Sequence, residues 1–317
     1  MKLNKENVFT IALYNVENFF DTVDDPLTND EAYTPKGKLR WSESRYRKKV
    51  KNISSVIAQI GKNRSKYTPA IIGLVEVENT KVLEDLIHHK NLRDEGYSFV
   101  HKSSRDNRGI DVALLYRNDV FEVLHTKNYP IHYEEDDGER GFSRDILVVS
   151  GRLNGELVHI ITNHWPSRRE GEEKSDFKRI EAAKLLHYAI AEIKEGDSDP
   201  KIIILGDFND NPNDESIKDY VMTEEFYNPM EELYSKGIGS LTFQRKWHLF
   251  DQIIVSKSFL TNSDTDHTFL EAKVFNKKWL RTHKGKRKGS PFRTYIGRWY
   301  KGGYSDHFPV YMNLYRK

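Results

Sequence analysis

The chain has 317 residues, 37% of them hydrophobic and 31% charged, enough apolar material for a sizeable core. Basic and acidic residues nearly cancel to a formal net charge of +2, so overall charge selects no class of partner. The absence of cysteine excludes disulfides, thiolate zinc sites and cysteine nucleophiles.

No stretch approaches the ~18–20 apolar residues of a membrane helix, and the N-terminus lacks an apolar core of signal-peptide length. A cytoplasmic protein is expected, or a secreted one if an export signal has been removed. Residues 8–14 (VFTIALY) are β-branched and aromatic and read as a buried strand ending at Asn15. A long polar loop follows over 21–42. Tyr46, Val50, Ile53, Ile57 and Ile60 then recur at helical spacing up to Gly61. Residues 69–77 (PAIIGLVEV) form the next predicted strand and 80–89 a helix, with further strands near 97–101, 110–116, 145–153 and 157–163. A long helix is expected to turn Phe177, Ile180, Leu185, Leu186, Ala189, Ile190 and Ile193 to one side before Gly196. Strands at 201–206, 249–255 and 308–315 complete the pattern. Strands outnumber helices and often follow one another after short turns, which favours mixed sheets with many antiparallel pairs flanked by helices.

Several strands end on polar clusters. Residues 202–212 read IIILGDFNDNP, an apolar run that stops on Asp207, Asn209 and Asp210. The first strand ends in Asn15 and Glu17, the second in Glu76, and the one at 157–162 in Asn163 and His164. Asp251 sits inside the apolar run LFDQIIV, and Ser305-Asp306-His307 precedes the last strand. Taken singly, each could be ordinary turn chemistry. Together they supply hard oxygen ligands for a Mg²⁺-type cation, with neutral donors and an Asp–His pair to offset phosphate charge. That combination points to metal-assisted hydrolysis of a phosphate ester.

The ordered stretches LYNVENFFD (13–21), IIGLVEVEN (71–79), RGIDVALLYR (108–117), TNHWPSR (162–168), ILGDFNDNP (204–212), LFDQIIVS (249–256) and YSDHFPV (304–310) resemble the endonuclease/exonuclease/phosphatase superfamily. This group includes DNase I-like nucleases, abasic-site endonucleases, inositol polyphosphate 5-phosphatases and neutral sphingomyelinases. The resemblance implies one domain over residues 1–317. It also implies a DNase I-like four-layer α/β sandwich, two mixed sheets face to face with helices outside.

It further implies Glu76 as the principal metal carboxylate, with Asn15 and Asp306 completing the site for Mg²⁺, or Mn²⁺ in its place. Asp207 would activate water, Asn209 would hold it, His307 paired with Asp251 would bind the phosphate, and His164 would stand near the leaving oxygen. Glu17 matches a position that in certain relatives borders a second metal. Asp111 is a candidate partner for His164, or an inward strand residue bonded elsewhere. Asn163 and Trp165 depart from the Thr-His-Leu pattern of many relatives, which leaves the leaving-group pocket open. Arg108, Asn163 and Arg168 are candidate phosphate or substrate contacts.

Residues 272–303 form a basic, aromatic-rich insertion with eleven lysines and arginines and no acidic residue between Glu271 and Asp306. Lys284, Arg287 and Arg293 are its candidate substrate contacts. Such a segment can follow a polyanionic backbone and offer rings to bases. Nucleic acid, with DNA favoured over RNA, is therefore the expected substrate of a monomeric nuclease. The alternatives are an inositol phosphate or phospholipid phosphoesterase, and a catalytically inactive binding module. A second basic cluster at 45–51 is expected to be a solvated helix face.

Overall fold

The computed structural model describes residues 4–134, 140–168, 171–262 and 264–317. Twelve strands build two large sheets. In chain order they are β1 (Val8–Phe19), β2 (Ile71–Val77), β3 (Tyr97–His101), β4 (Asp111–Arg117), β5 (Phe121–Tyr129) and β6 (Ile146–Leu153). They continue as β7 (Glu156–His164), β8 (Ile202–Asp207), β9 (Phe226–Tyr227), β10 (Asp251–Ser256), β11 (Thr268–Val274) and β12 (Val310–Tyr315). One sheet has the order β11-β12-β1-β2-β4-β3 and the other β9-β10-β8-β7-β6-β5. Only β1–β2 and β7–β8 pair in parallel within these sheets.

The alternation of strand side chains explains the layering. In β1, Ile11 and Leu13 face the other sheet and meet Leu205, Ile253 and Val255. Ala12, Tyr14 and Val16 point the opposite way, onto helices α1 (Glu43–Ile57) and α2 (Thr80–Ile87). Both faces of β1 are therefore buried, which is why its sequence is apolar throughout. Helix α3 (Glu172–Gly196) covers the second sheet with Ala182, Ala183, Leu186, Ala189 and Ile190. The result is the four-layer α/β arrangement.

Several sequence expectations change. Strand β1 runs past Asn15 to Phe19, through a register shift at which Glu17 and Asn18 have φ of 52° and 50°. Strand β5 was not anticipated, because it lies at a sheet edge and most of its side chains face solvent. Phe177, expected on the buried side of α3, is 42% exposed and touches Tyr133 edge-on. Residues 272–274 of the anticipated insertion belong to β11. Lys49 and Arg45, assigned to a solvated helix face, instead hold that insertion, as described below.

Gly206 has a local reason to lack a side chain. It lies in register with Asn163, and a Cβ there would stand 2.5 Å from the Asn163 carbonyl oxygen. Gly206→Ala should therefore lower stability by about 1–3 kcal/mol in urea titration. An unchanged midpoint would show that the strands can move apart.

Candidate active site

Strand direction alone gathers the polar residues. Parallel β1 and β2 finish side by side, with Asn15 in register with Val75, next to Glu76. Parallel β7 and β8 likewise finish together, and His164 pairs with Asp207. Antiparallel β10 starts where β8 ends, so Asp251 lies opposite Asp207. Antiparallel β12 returns alongside β1 with Val310 facing Leu13, which puts Asp306 and His307 at the same end. Asn15 Nδ2 donates from one sheet to the other here, to Asp207 Oδ2 at 2.9 Å.

Asp207 is buried, and its other oxygen accepts the Asn209 backbone N–H at 3.0 Å. Burial raises its pKa to about 6, with His307 opposing and nearby Asp251 adding to the rise. Asn209 has φ 53° and donates its side-chain amide to the Trp165 carbonyl at 2.9 Å. This leaves Asn209 Oδ1 as its acceptor. His307 Nδ1 lies 2.7 Å from Asp251 Oδ2, which also accepts from Ser240 Oγ. Burial alone would discharge this imidazole, but Asp251, Asp207 and Asp306 raise its pKa well above the usual value. These charges favour the protonated form of the ring, and its Nε2 lies 4.0 Å from Asp306 Oδ1.

A second cluster adjoins this one. Glu76, with φ 67° at a strand irregularity, accepts the Asn18 N–H at 2.7 Å. Its other oxygen lies 3.9 Å from Arg108, whose guanidinium also donates to Asn18 Oδ1. Bulges of this kind re-aim side chains at strand ends. Glu17 accepts the Thr294 N–H at 2.6 Å and lies 3.5 Å from Arg293 and 3.9 Å from Lys49. Arg293 also pairs with Asp306. Burial and the Asp306 charge push Glu17 upward, whereas burial pulls the Lys49 ammonium down. Asp306 ends below its usual value: burial would raise it, but His307, Arg293 and Lys49 prevail.

The remaining candidates lie elsewhere or serve other contacts. Asn163 is fully buried and bonds to backbone carbonyls and Trp165, with no access to a substrate. Arg168 donates to the Asn209 carbonyl at 2.8 Å and pairs with Asp210 and Asp214, a bracing position rather than a phosphate contact. The described contacts of Asp111 run to the Ser104 N–H and, at 3.8 Å, to His101. Lys284 and Arg287 are exposed on the insertion. Lys49 was missed as a site residue because its helix neighbours Lys48 and Lys51 are exposed; it is 1% exposed and donates to Thr294 Oγ1 and the Tyr304 carbonyl. Arg45 similarly lies 4.4 Å from the Tyr300 ring. A lysine falling on the buried side of the helical repeat was the available signal.

Two groups could hold a divalent cation. Asp207, Asp251 and His307 bring ligand atoms within 4.8 Å of one another. There His307 Nδ1 is already engaged by Asp251 at 2.7 Å. Glu76 and Asp306 offer hard oxygens beside Asn15, whose Oδ1 accepts the Glu17 N–H and keeps a second lone pair. Carboxylate and amide oxygens are the kind of donor that a hard divalent ion takes.

The profile of the Endonuclease/Exonuclease/phosphatase family matches residues 10–316. The chain belongs to that family. Its members are phosphoester hydrolases that use divalent metals. Comparison with curated protein sequences gives no match. Among solved structures, an endonuclease/exonuclease/phosphatase family protein from Bacteroides thetaiotaomicron is 19% identical, with a TM-score of 0.60, covering 98% of this chain and 95% of that one. A mannosyl-6-phosphatase of the same organism is also 19% identical, with a TM-score of 0.59 and coverage of 96% and 99%. D. rerio TDP2 complexed with a single-strand DNA product is 15% identical, with a TM-score of 0.59 and coverage of 97% and 98%. These likenesses establish the DNase I-like endonuclease/exonuclease/phosphatase fold. Among the described residues no helix is long and apolar enough to cross a membrane.

The two titrating groups set a pH profile. With Asp207 as the base, kcat/KM would rise with pH through about 6. The imidazolium must stay protonated, so the falling limb should lie well above 6.5. Asp251→Asn removes the leading charge that raises His307 and should move the falling limb to lower pH. An unmoved limb would detach His307 from that role.

Proposed function

We propose that this family member hydrolyses phosphodiester bonds of nucleic acid by metal-assisted attack of water. The observation that carries the reading is the junction of Asn15–Asp207 with Asp251–His307, a carboxylate and an imidazole side by side where the strands of both sheets end. Asn15 and the Asn209 N–H each hold one Asp207 oxygen, fixing the carboxylate plane. Asp207 takes a proton from the attacking water, and Asn209 Oδ1 orients that water. His307 offers Nε2 to a phosphoryl oxygen, and its positive charge offsets the negative charge that grows there. A divalent cation held by Glu76, Asn15 and Asp306 would supply further charge neutralisation at the phosphate. His164 stands by the departing oxygen and gives it a proton. No covalent enzyme intermediate is needed.

Nucleic acid is favoured by the insertion, where Lys277, Lys278, Lys284, Lys286, Arg287, Lys288, Arg298 and Lys301 are exposed with no acidic residue among them. The TDP2 neighbour bound to single-strand DNA supports the same class. The mannosyl-6-phosphatase neighbour keeps a phosphomonoester as the second reading. A supercoiled plasmid incubated with Mg²⁺ or Mn²⁺ decides between them, beside a panel of sugar and inositol phosphates. Chelator-sensitive nicking is expected; phosphate release from the panel alone would favour the second reading.

Asp207→Asn should reduce turnover by about 10²–10⁴-fold while melting temperature and metal affinity stay near wild type. Retention of near wild-type turnover would remove Asp207 from its role.

A further inference from the structure

Beside the acidic cluster lies a cavity of about 190 Å³ that the proposed chemistry does not use. Three distant segments enclose it. Asn18 and Glu17 come from the irregular end of β1, Tyr33 and Trp41 from the loop before α1, and Arg293 and Tyr295 from the insertion. Its walls are fixed in place. Trp41 Nε1 donates to the Phe20 carbonyl at 3.0 Å, and the Tyr295 hydroxyl to the Leu39 carbonyl at 3.1 Å. Tyr33 stacks on Phe20 with centroids 4.3 Å apart and remains half-buried. The cavity shares Glu17 and Arg293 with the site, and Arg293 pairs with Asp306 directly. An occupant would therefore adjoin the phosphate being attacked.

Size and chemistry restrict the occupant. The volume is below the ~300 Å³ of pockets for drug-sized ligands, so it suits a single ring system. The aromatic walls favour a planar face. Asn18, Glu17 and Arg293 offer the acceptors and donors that read base edges.

We propose that this cavity is a substrate subsite that takes the nucleobase flanking the scissile phosphate. Tyr33 forms its wall, and the Glu17–Asn18–Arg293 group reads the base edge. The inference rests on the nuclease reading and extends it by one contact. The phenol of Tyr33 lies close to the cluster: burial, then the charges of Glu76 and Glu17, raise its pKa. Both the loop at 21–42 and the insertion would then act in substrate selection rather than merely cover the sheet.

The test compares thymidine 5′-(p-nitrophenyl phosphate) with methyl p-nitrophenyl phosphate, which has no base. Wild-type kcat/KM should be about tenfold or more higher for the nucleoside ester. Tyr33→Ala, which removes the wall, and Leu39→Trp, which fills the cavity, should each erase most of that preference through KM of the nucleoside ester. Melting curves check that both variants fold. Equal wild-type efficiency on the two esters, or variants that depress both in proportion, would overturn the subsite while leaving the hydrolase reading intact. Failure of the wild type on both esters, with turnover of phosphomonoesters, would overturn the nuclease reading and the subsite with it.

Discussion

Five carboxylates crowd one end of the sandwich, and the fold has to offset their charge largely without water. Glu17, Glu76, Asp207 and Asp251 are all buried, and Asp306 is half-buried beside them. An isolated buried carboxylate is costly enough that it must be paired, hydrogen-bonded or protonated. Each acid here has its own answer. Asp251 takes the His307 imidazole, Asp207 takes the Asn15 amide, and Glu76 takes a backbone N–H. Glu17 and Asp306 take Lys49 and Arg293, which come from a helix and an insertion far apart in sequence. Charge compensation therefore ties α1 and the insertion to the same end of the sandwich.

Compensation is incomplete. Asp207 remains reluctant to ionise, which suits a base working near neutral pH. Three acids around His307 favour its protonated form over the neutral one. Local negative charge that protein cations do not fully answer is the setting in which a hard divalent ion binds. The left-handed backbone at Glu17, Asn18, Glu76 and Asn209 shows how the chain aims these groups; asparagine adopts such φ values readily, whereas the two glutamates need surrounding contacts to hold them there.

The layered fold and the strand-end residues were legible in the sequence because both rest on local pattern. Apolar strands such as 202–206 stop abruptly on polar residues, and Asp251 stands out inside LFDQIIV. What escaped was set by tertiary packing. Nothing in the run RYRKKVK distinguishes Lys49 from its exposed neighbours except its place on the helical repeat. Arg168 looked like a phosphate contact because its motif position carries no trace of Asp210 and Asp214. Edge strand β5 was missed since solvent-facing side chains erase the period of two. The insertion was read as a basic surface with rings for stacking on bases. Its Thr294, Tyr295 and Arg293 are instead inner walls of the site.

Central to this account is the location of the cation: among the oxygens of Glu76, Asn15 and Asp306, apart from the bonded Asp207–Asp251–His307 trio. A crystal grown with Mn²⁺ and examined by anomalous scattering locates it directly. The account predicts a peak against the Glu76 carboxylate with Asp251 still bonded to His307. A peak coordinated by Asp207, Asp251 and His307 would contradict it, because the imidazole would then be a ligand and could not carry the proton assigned to it.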